Sequence, residues 1–313
     1  MRIGMLSTAA INALLVEGAR ASGVAEVVAV ASRDATRARA QADELGVPRS
    51  HGSYEALLAD DGVDAIYVSL PNSMHVEWSI RALEAGKHVL CEKPMSRHPD
   101  DVERAFDAAE GAGRVLMEAF MWRYTPQARR LIELLPRVGT LRMVRAAFSF
   151  PERAPGNIRL NPDLEGGALI DVGCYCISGI RLVAGEPQGL VGRQVLGGGG
   201  VDVLFTAAMS MPGDVLAHFD CGMVTSFRDE LEVVGSEATL FLDDPWHSRN
   251  PVIEIRDGDG GSERIEVEKA DPYACELEEL VAVTAGERAP RFGRADAVAQ
   301  ARAIAELYAA AGR

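Results

Sequence analysis

Five short runs rich in β-branched residues, RIGML, EVVAVAS, DAIYVSL, KHVLCE and RVLME, recur along the first 120 residues, and stretches rich in Ala, Leu, Arg and Glu separate them. Few folds are open to a chain so patterned. Strands alternating with helices require right-handed crossovers, and these build a doubly wound parallel sheet. The turn chemistry agrees: Asp34 is placed to cap a helix running to about Leu45, Asn72 or Ser73 to cap another, and Gly86 to end it. Ligands of such sheets lie beyond the carboxyl ends of the strands. That directs attention to Leu6–Ala9, Ala31–Asp34, Leu70–Asn72 and the stretch CEKP, Cys91 to Pro94.

After about Phe120 the pattern changes. A helix near Pro126–Leu135 leads into LRMVRAAFSF, VDVLFTAAMSM, VLAHFDCGMV, LEVVGSEATLFL and PVIEIRD, whose alternation predicts antiparallel strands of a largely open sheet. One helix, LIDVGCYCISGIRLV, interrupts them, and an Ala-rich helix over about Ala295–Ala311 follows. At 313 residues two domains are expected. The fold class is α/β, with a nucleotide-binding domain over 1–120 and an α+β domain on a mostly antiparallel open sheet over 121–313, its last helix free to pack back on the first. The run GGGG at 197–200 has no helix after it and reads as a hairpin loop.

Acidic residues outnumber basic ones by 46 to 32, a net charge of −14 that argues against a nucleic-acid partner. The chain opens directly on a strand pattern, without a leader of basic, apolar and small residues, and no membrane span is expected. The five cysteines are odd in number and lack CxxC spacing, which argues against zinc or a disulfide framework and for a reduced, cytoplasmic setting. His51, His88, His98, His218 and His247 show no metal spacing, so no metal is expected.

In a dinucleotide fold the first strand ends in GxGxxG. Here the corresponding stretch is STAAIN, Ser7 to Asn12, without either leading glycine. Small side chains at Ser7, Thr8 and Ala9, with Ile11 behind them, still permit close approach of a pyrophosphate; the alternative is an ordinary turn with Ser7 or Thr8 as helix cap. At the second strand's end, where an acidic residue would receive a ribose hydroxyl, stand Ser32 and Arg33, with Arg37 a helical turn on. A hydroxyl and two guanidiniums suit a 2′-phosphate, favouring NADP with NAD possible. The alternative is a solvated helix face, and Asp34 either caps its helix or repels the phosphate.

In GGALIDVGCYC, Gly166 to Cys176, a helix would put Asp171 and Tyr175 on one face, away from the apolar set Leu169, Val172, Cys176, Ile180 and Val183. Taken alone, these residues read more readily as a surface aspartate and a half-buried core tyrosine than as a reactive pair. The order and spacing of RIGMLSTA, LPNSMHVE, CEKPMS, EAFMWRYTP and DVGCY nevertheless resemble the glucose–fructose oxidoreductase and inositol dehydrogenase (Gfo/Idh/MocA) family over nearly the whole chain. The resemblance implies a Rossmann first domain and an active site of Lys93, Asp171 and Tyr175. Tyr175 stands where many members have histidine, as in the NADP-dependent aldose and dihydrodiol dehydrogenase branch. It further implies a cis bond before Pro94 and a sugar or polyol substrate. A homodimer or homotetramer through the C-terminal sheet is also expected. Leu70, Pro71, Asn72, His75 and Glu92 are expected along the cofactor path, Trp122 and Arg123 at nicotinamide or sugar, and Arg159 at the substrate loop. A trans-dihydrodiol dehydrogenase, a ketosugar reductase and a non-catalytic NADP-binding regulator are the competing readings.

Overall fold

The structure, a computed structural model, describes residues 1–154 and 156–312. Its elements form two units by the density of their internal packing: Met1–Met121 with Asp271–Val298, and Trp122–Ala270 with the chain from Ala299 on.

The first unit alternates β1 (Arg2–Leu6), α1 (Asn12–Ser22), β2 (Glu26–Ala31), α2 (Ala35–Leu45), β3 (Arg49–His51), α3 (Tyr54–Leu58), β4 (Ala65–Val68), α4 (His75–Glu84), β5 (His88–Glu92), α5 (Pro99–Ala112) and β6 (Leu116–Ala119). All six strands are parallel, in the order β3-β2-β1-β4-β5-β6. The order reverses between β1 and β4, so a crevice opens beyond their carboxyl ends, the place where such sheets bind dinucleotides. Asp34 caps α2, its Oδ1 accepting from the amides of Thr36 at 2.8 Å and Arg37 at 3.2 Å. Neither Asn72 nor Ser73 caps α4: a 3₁₀ turn over Asn72–Met74 leads into it, and no side-chain cap is made at Met74.

The second unit holds α6 (Pro126–Leu134), β7 (Leu141–Ser149), α7 (Cys174–Ala184), β8 (Gly189–Leu196), β9 (Asp202–Met211), β10 (Val215–Gly222), β11 (Arg228–Gly235), β12 (Ala238–Leu242), β13 (Val252–Asp257) and β14 (Ser262–Glu266). The strand order is β14-β13-β12-β11-β7-β10-β9-β8, antiparallel except for the parallel pair β7 and β10. LEVVGSEATLFL is therefore two strands of a hairpin, β11 and β12. The GGGG run joins antiparallel β8 and β9 as a hairpin loop. α7 packs on the inner face of β7, β10 and β11. The stretch Pro162–Ala184 is long and apolar enough to cross a membrane, but 78% of its apolar window is buried in this core.

The sequence pattern places the domain boundary near residue 120 and leaves the last helix free to pack back on the first domain. The structure returns to the first unit α8 (Pro272–Thr284), an element the pattern does not announce, together with the start of α9 (Arg294–Ala310). Backbone approach explains the first: α1 carries Gly18, where a Cβ would lie 2.5 Å from Tyr273 Cβ. Charge explains the second, because Arg294 bonds Glu103, Asp107 and Glu110 of α5.

Candidate active site

On the first unit, the turn after β1 is held by side chains where a dinucleotide motif would use glycine. Asn12 occupies the third glycine position, fully buried, with Nδ2 donating to Ser7 O at 2.8 Å and Gln41 Oε1 at 2.9 Å. Ser69 donates to Asn12 Oδ1 at 2.7 Å, Ser7 Oγ to Ser69 O at 2.9 Å, and Ala9 N to Ser7 Oγ at 3.0 Å. Thr8, Ala9 and Ile11 remain half-buried at the crevice. Ile11 is the N-cap of α1 and makes no side-chain bond, so neither Ser7 nor Thr8 is the cap. A helix start left without a side-chain cap suits a phosphate. Asn12, Gln41 and Ser69 were not anticipated as site residues, because no motif marks side chains that take over the work of glycine.

At the end of β2, Ser32 Oγ accepts Asp34 N at 3.2 Å. Arg33 and Arg37 are exposed, and neither forms an ion pair among the described residues. Asp34 spends its carboxylate as the helix cap. The residues present thus fit NADP: Ser32, Arg33 and Arg37 would hold the 2′-phosphate, and the Ser7–Ala9 turn the pyrophosphate.

CEKP closes β5. Lys93 is half-buried, and Lys93–Pro94 is cis. Glu92 accepts from Tyr67 OH and, through Oε2, from Lys93 N at 3.2 Å, while Met95 N donates to Glu118 Oε1 at 2.7 Å. The buried ring of His75 lies with Nδ1 2.9 Å from Pro94 O and Nε2 2.7 Å from Leu70 O, tying together the ends of β4 and β5. Leu70, Pro71, Asn72, His75, Glu92 and Lys93 therefore share one stretch of the crevice. Sequence reading overlooks Tyr67 and Glu118, which look like ordinary strand residues.

α8 adds a further group. Glu276 is 1% exposed, and neither carboxyl oxygen has a hydrogen-bond partner among the described residues. Burial, reinforced by the Glu92 charge, pushes its pKa well above the usual carboxylate range. Between the unfolded and folded pKa the folded protein holds a proton that the unfolded chain has released, so stability falls as pH rises through that window. Glu276→Gln is expected to raise the melting temperature at about pH 8 and to change it little at about pH 4, the gain growing by about 1.4 kcal/mol per pH unit within that window. A gain independent of pH would show that Glu276 is not held neutral.

On the second unit, Asp171 and Tyr175 lie on one buried segment, but not on the single α-helix expected. Leu169–Gly173 forms a π turn before α7 begins at Cys174. Wide turns of this kind are frequent at functional sites. Nor does the polar pair face away from an apolar seam, because Cys174 to Arg181 are all buried. Arg159 Nε donates to Asp171 Oδ2 at 2.6 Å, and the Asp171 charge raises the guanidinium pKa.

Tyr175 is 7% exposed, its ring edge-on to Phe148 with centroids 5.3 Å apart and tilted against Trp246 at 6.1 Å. Trp122 meets this cluster at Trp246, 5.1 Å away, and Arg123 beside it is buried. The Trp122 indole N–H has no hydrogen-bond partner among the described residues. His247 bonds Asp229 at 2.5 Å and, with Asp244, brings three potential metal ligands together. Arg249 already bonds both carboxylates, at 3.3 and 2.9 Å, which gives the group an internal countercharge.

A parallel sheet with a dinucleotide crevice, a lysine at its rim, and a second unit carrying a half-buried aspartate and a buried tyrosine define a cofactor-dependent oxidoreductase of two-unit design. Residues 3–120 match the oxidoreductase family GFO/IDH/MocA with its NAD-binding Rossmann fold, and residues 127–241 match the GFO/IDH/MocA C-terminal domain. The chain belongs to this family. It is 37% identical to the D-xylose 1-dehydrogenase (NADP(+)) 2 of Haloferax volcanii over 99% of its own length and 97% of the relative's. It is 33% identical to the trans-1,2-dihydrobenzene-1,2-diol dehydrogenase of Sus scrofa, over 70% and 67%. Among solved structures, a 3-ketoreductase from Actinomadura kijaniata in complex with NADP and TDP-benzene matches with a TM-score of 0.91 at 32% identity, covering 99% of this chain and 97% of that one.

Proposed function

We propose that the protein is an NADP-dependent sugar or polyol dehydrogenase of the aldose 1-dehydrogenase kind. In this reading Tyr175 takes or returns the proton of the substrate hydroxyl, Lys93 supplies the cation that makes it able to, and Asp171 orients the hydroxyl. The observation that carries the reading is the Arg159–Asp171 pair on the segment that bears Tyr175, because it fixes a carboxylate four residues from a buried phenol. When bound, NADP accepts or returns hydride at nicotinamide C4. The unpartnered indole N–H of Trp122 is a donor suited to a ligand oxygen, with Arg123 beside it. The full-length likeness to an NADP-dependent xylose dehydrogenase supports the substrate class.

Reduction of a ketosugar by the same residues is the second reading, supported by the likeness to the 3-ketoreductase. A panel of aldoses, inositols and diols with NADP, and of ketosugars with NADPH, separates the two by cofactor absorbance. Aldose oxidation is expected to be fastest. NADP binding without turnover across the panel would leave only a regulator. The reading extends to a cytoplasmic homodimer or homotetramer. Five free, buried cysteines support the compartment. Supporting the assembly, the open sheet face exposes Met143 beside its strand partner Leu216, as well as Val191.

A further inference from the structure

The segment carrying Asp171 and Tyr175 is pinned at two points by residues outside it. At its start, Leu169 N donates to Asp202 Oδ2 at 2.6 Å, and Tyr308 OH donates to Asp202 Oδ1 at 3.0 Å. Asp202 is fully buried. The backbone is pressed onto that carboxylate: Gly167 has φ +142°, and a Cβ there would lie 2.2 Å from Asp202 Oδ1. Within the segment, Gln300 Nε2 donates to the carbonyl of Cys174 at 2.8 Å, while Gln300 Oε1 accepts from Arg181 Nη1 at 2.7 Å. Gln300 is likewise fully buried. Arg181 is held in turn by both oxygens of Glu186.

Asp171 lies two residues beyond the first pin and Tyr175 one residue beyond the second. A change from π to α winding shifts the register of every later side chain, so a segment that switches winding needs external points to fix where each side chain stands. A buried carboxylate at the segment's start supplies a charge-assisted acceptor for an amide without an intrahelical partner. A side-chain amide on a carbonyl just before Tyr175 resists rotation there.

We propose that Asp202 and Gln300 are positioning residues that set where Asp171 and Tyr175 stand, with Tyr308 orienting the Asp202 carboxylate. The proposal rests on the reading that Asp171 and Tyr175 act on the substrate, but its test does not depend on turnover. Full-length protein loaded with NADP is prepared with 3-fluorotyrosine at position 175 and examined by fluorine NMR, and kcat and KM are measured on the unlabelled enzyme. Asp202→Ala and Gln300→Leu are expected to move the fluorine resonance and to lower kcat by about 10²-fold, the cost of misplacing a reacting group by about an ångström, with KM for NADP little changed. Asp202→Asn keeps an acceptor for Leu169 N and is expected to restore both.

An unmoved resonance in Asp202→Ala and Gln300→Leu overturns the proposal, even where the melting temperature falls, because that pattern is a purely structural role. A resonance as displaced in Asp202→Asn as in Asp202→Ala overturns it too. If Asp202→Ala does not fold, Tyr308→Phe, which deletes one hydroxyl, serves instead: a moved resonance supports the proposal and an unmoved one overturns it. A wild-type protein that turns over none of the panel defeats the assigned function while leaving the resonance to decide the positioning.

Discussion

Tyr175→Phe is expected to lower kcat by about 10²- to 10⁴-fold, the range for losing a group that transfers a proton in the transition state, and to change NADP affinity little. The substitution isolates chemistry because it removes one oxygen and keeps the ring against Phe148 and Trp246. The groups that fit the cofactor's phosphates, Ser7 to Ala9 and Ser32 to Arg37, belong to the other unit. A free phenol ionises near pH 10 and is a poor base at neutral pH; a nearby ammonium favours phenolate, each pKa unit being worth about 1.4 kcal/mol. On the proposed reading, in which Lys93 supplies that charge, Lys93→Met is expected to move the rise of the pH–rate profile to higher pH as well as slow the enzyme. Initial rates of NADPH appearance across pH check both. A Tyr175→Phe enzyme with near wild-type kcat removes the residue from the acid–base role.

The first sheet was legible because its strands are buried on both faces and so read as continuous apolar runs, and because a parallel sheet admits one handedness of connection. Asp34 as cap and the GGGG hairpin followed from local chemistry alone. Other features were not legible. The three-residue β3 and the exposed edge strand β14 have too little apolar content to stand out. α8 has no clear polar face, since Glu276 and Glu279 are buried among its apolar residues. The π turn at Leu169–Gly173 leaves no periodicity in five residues, yet it decides how Asp171 stands relative to Tyr175. The side chains that support the site, Asn12, Ser69, Glu118, Asp202 and Gln300, come from distant points in the chain. Their roles come from tertiary placement, which spacing along the sequence does not encode.

Arg33→Ala with Arg37→Ala is expected to abolish the preference for NADP over NAD. Hydrogen bonds to charged groups contribute about 1.5–3 kcal/mol each, so loss of two guanidiniums corresponds to a fall of roughly 10²- to 10⁴-fold in kcat/KM with NADP. With NAD, which lacks the 2′-phosphate, kcat/KM should change by no more than a few-fold. The structure gives the effect its direction. In a chain of net charge −14 these two exposed guanidiniums pair with no carboxylate among the described residues, so removing them leaves no buried acid unpaired there and costs little stability. Asp34 is the one acidic group in the turn, and its oxygen is occupied by the amides of Thr36 and Arg37, bonds that both substitutions preserve because they use the backbone. Added salt should weaken NADP binding to the wild type more than to the double variant, since exposed charge–phosphate attraction is screened. Equal losses with both cofactors would mean that Arg33 and Arg37 hold a part common to the two, such as the adenine ring, and that discrimination lies elsewhere in the crevice.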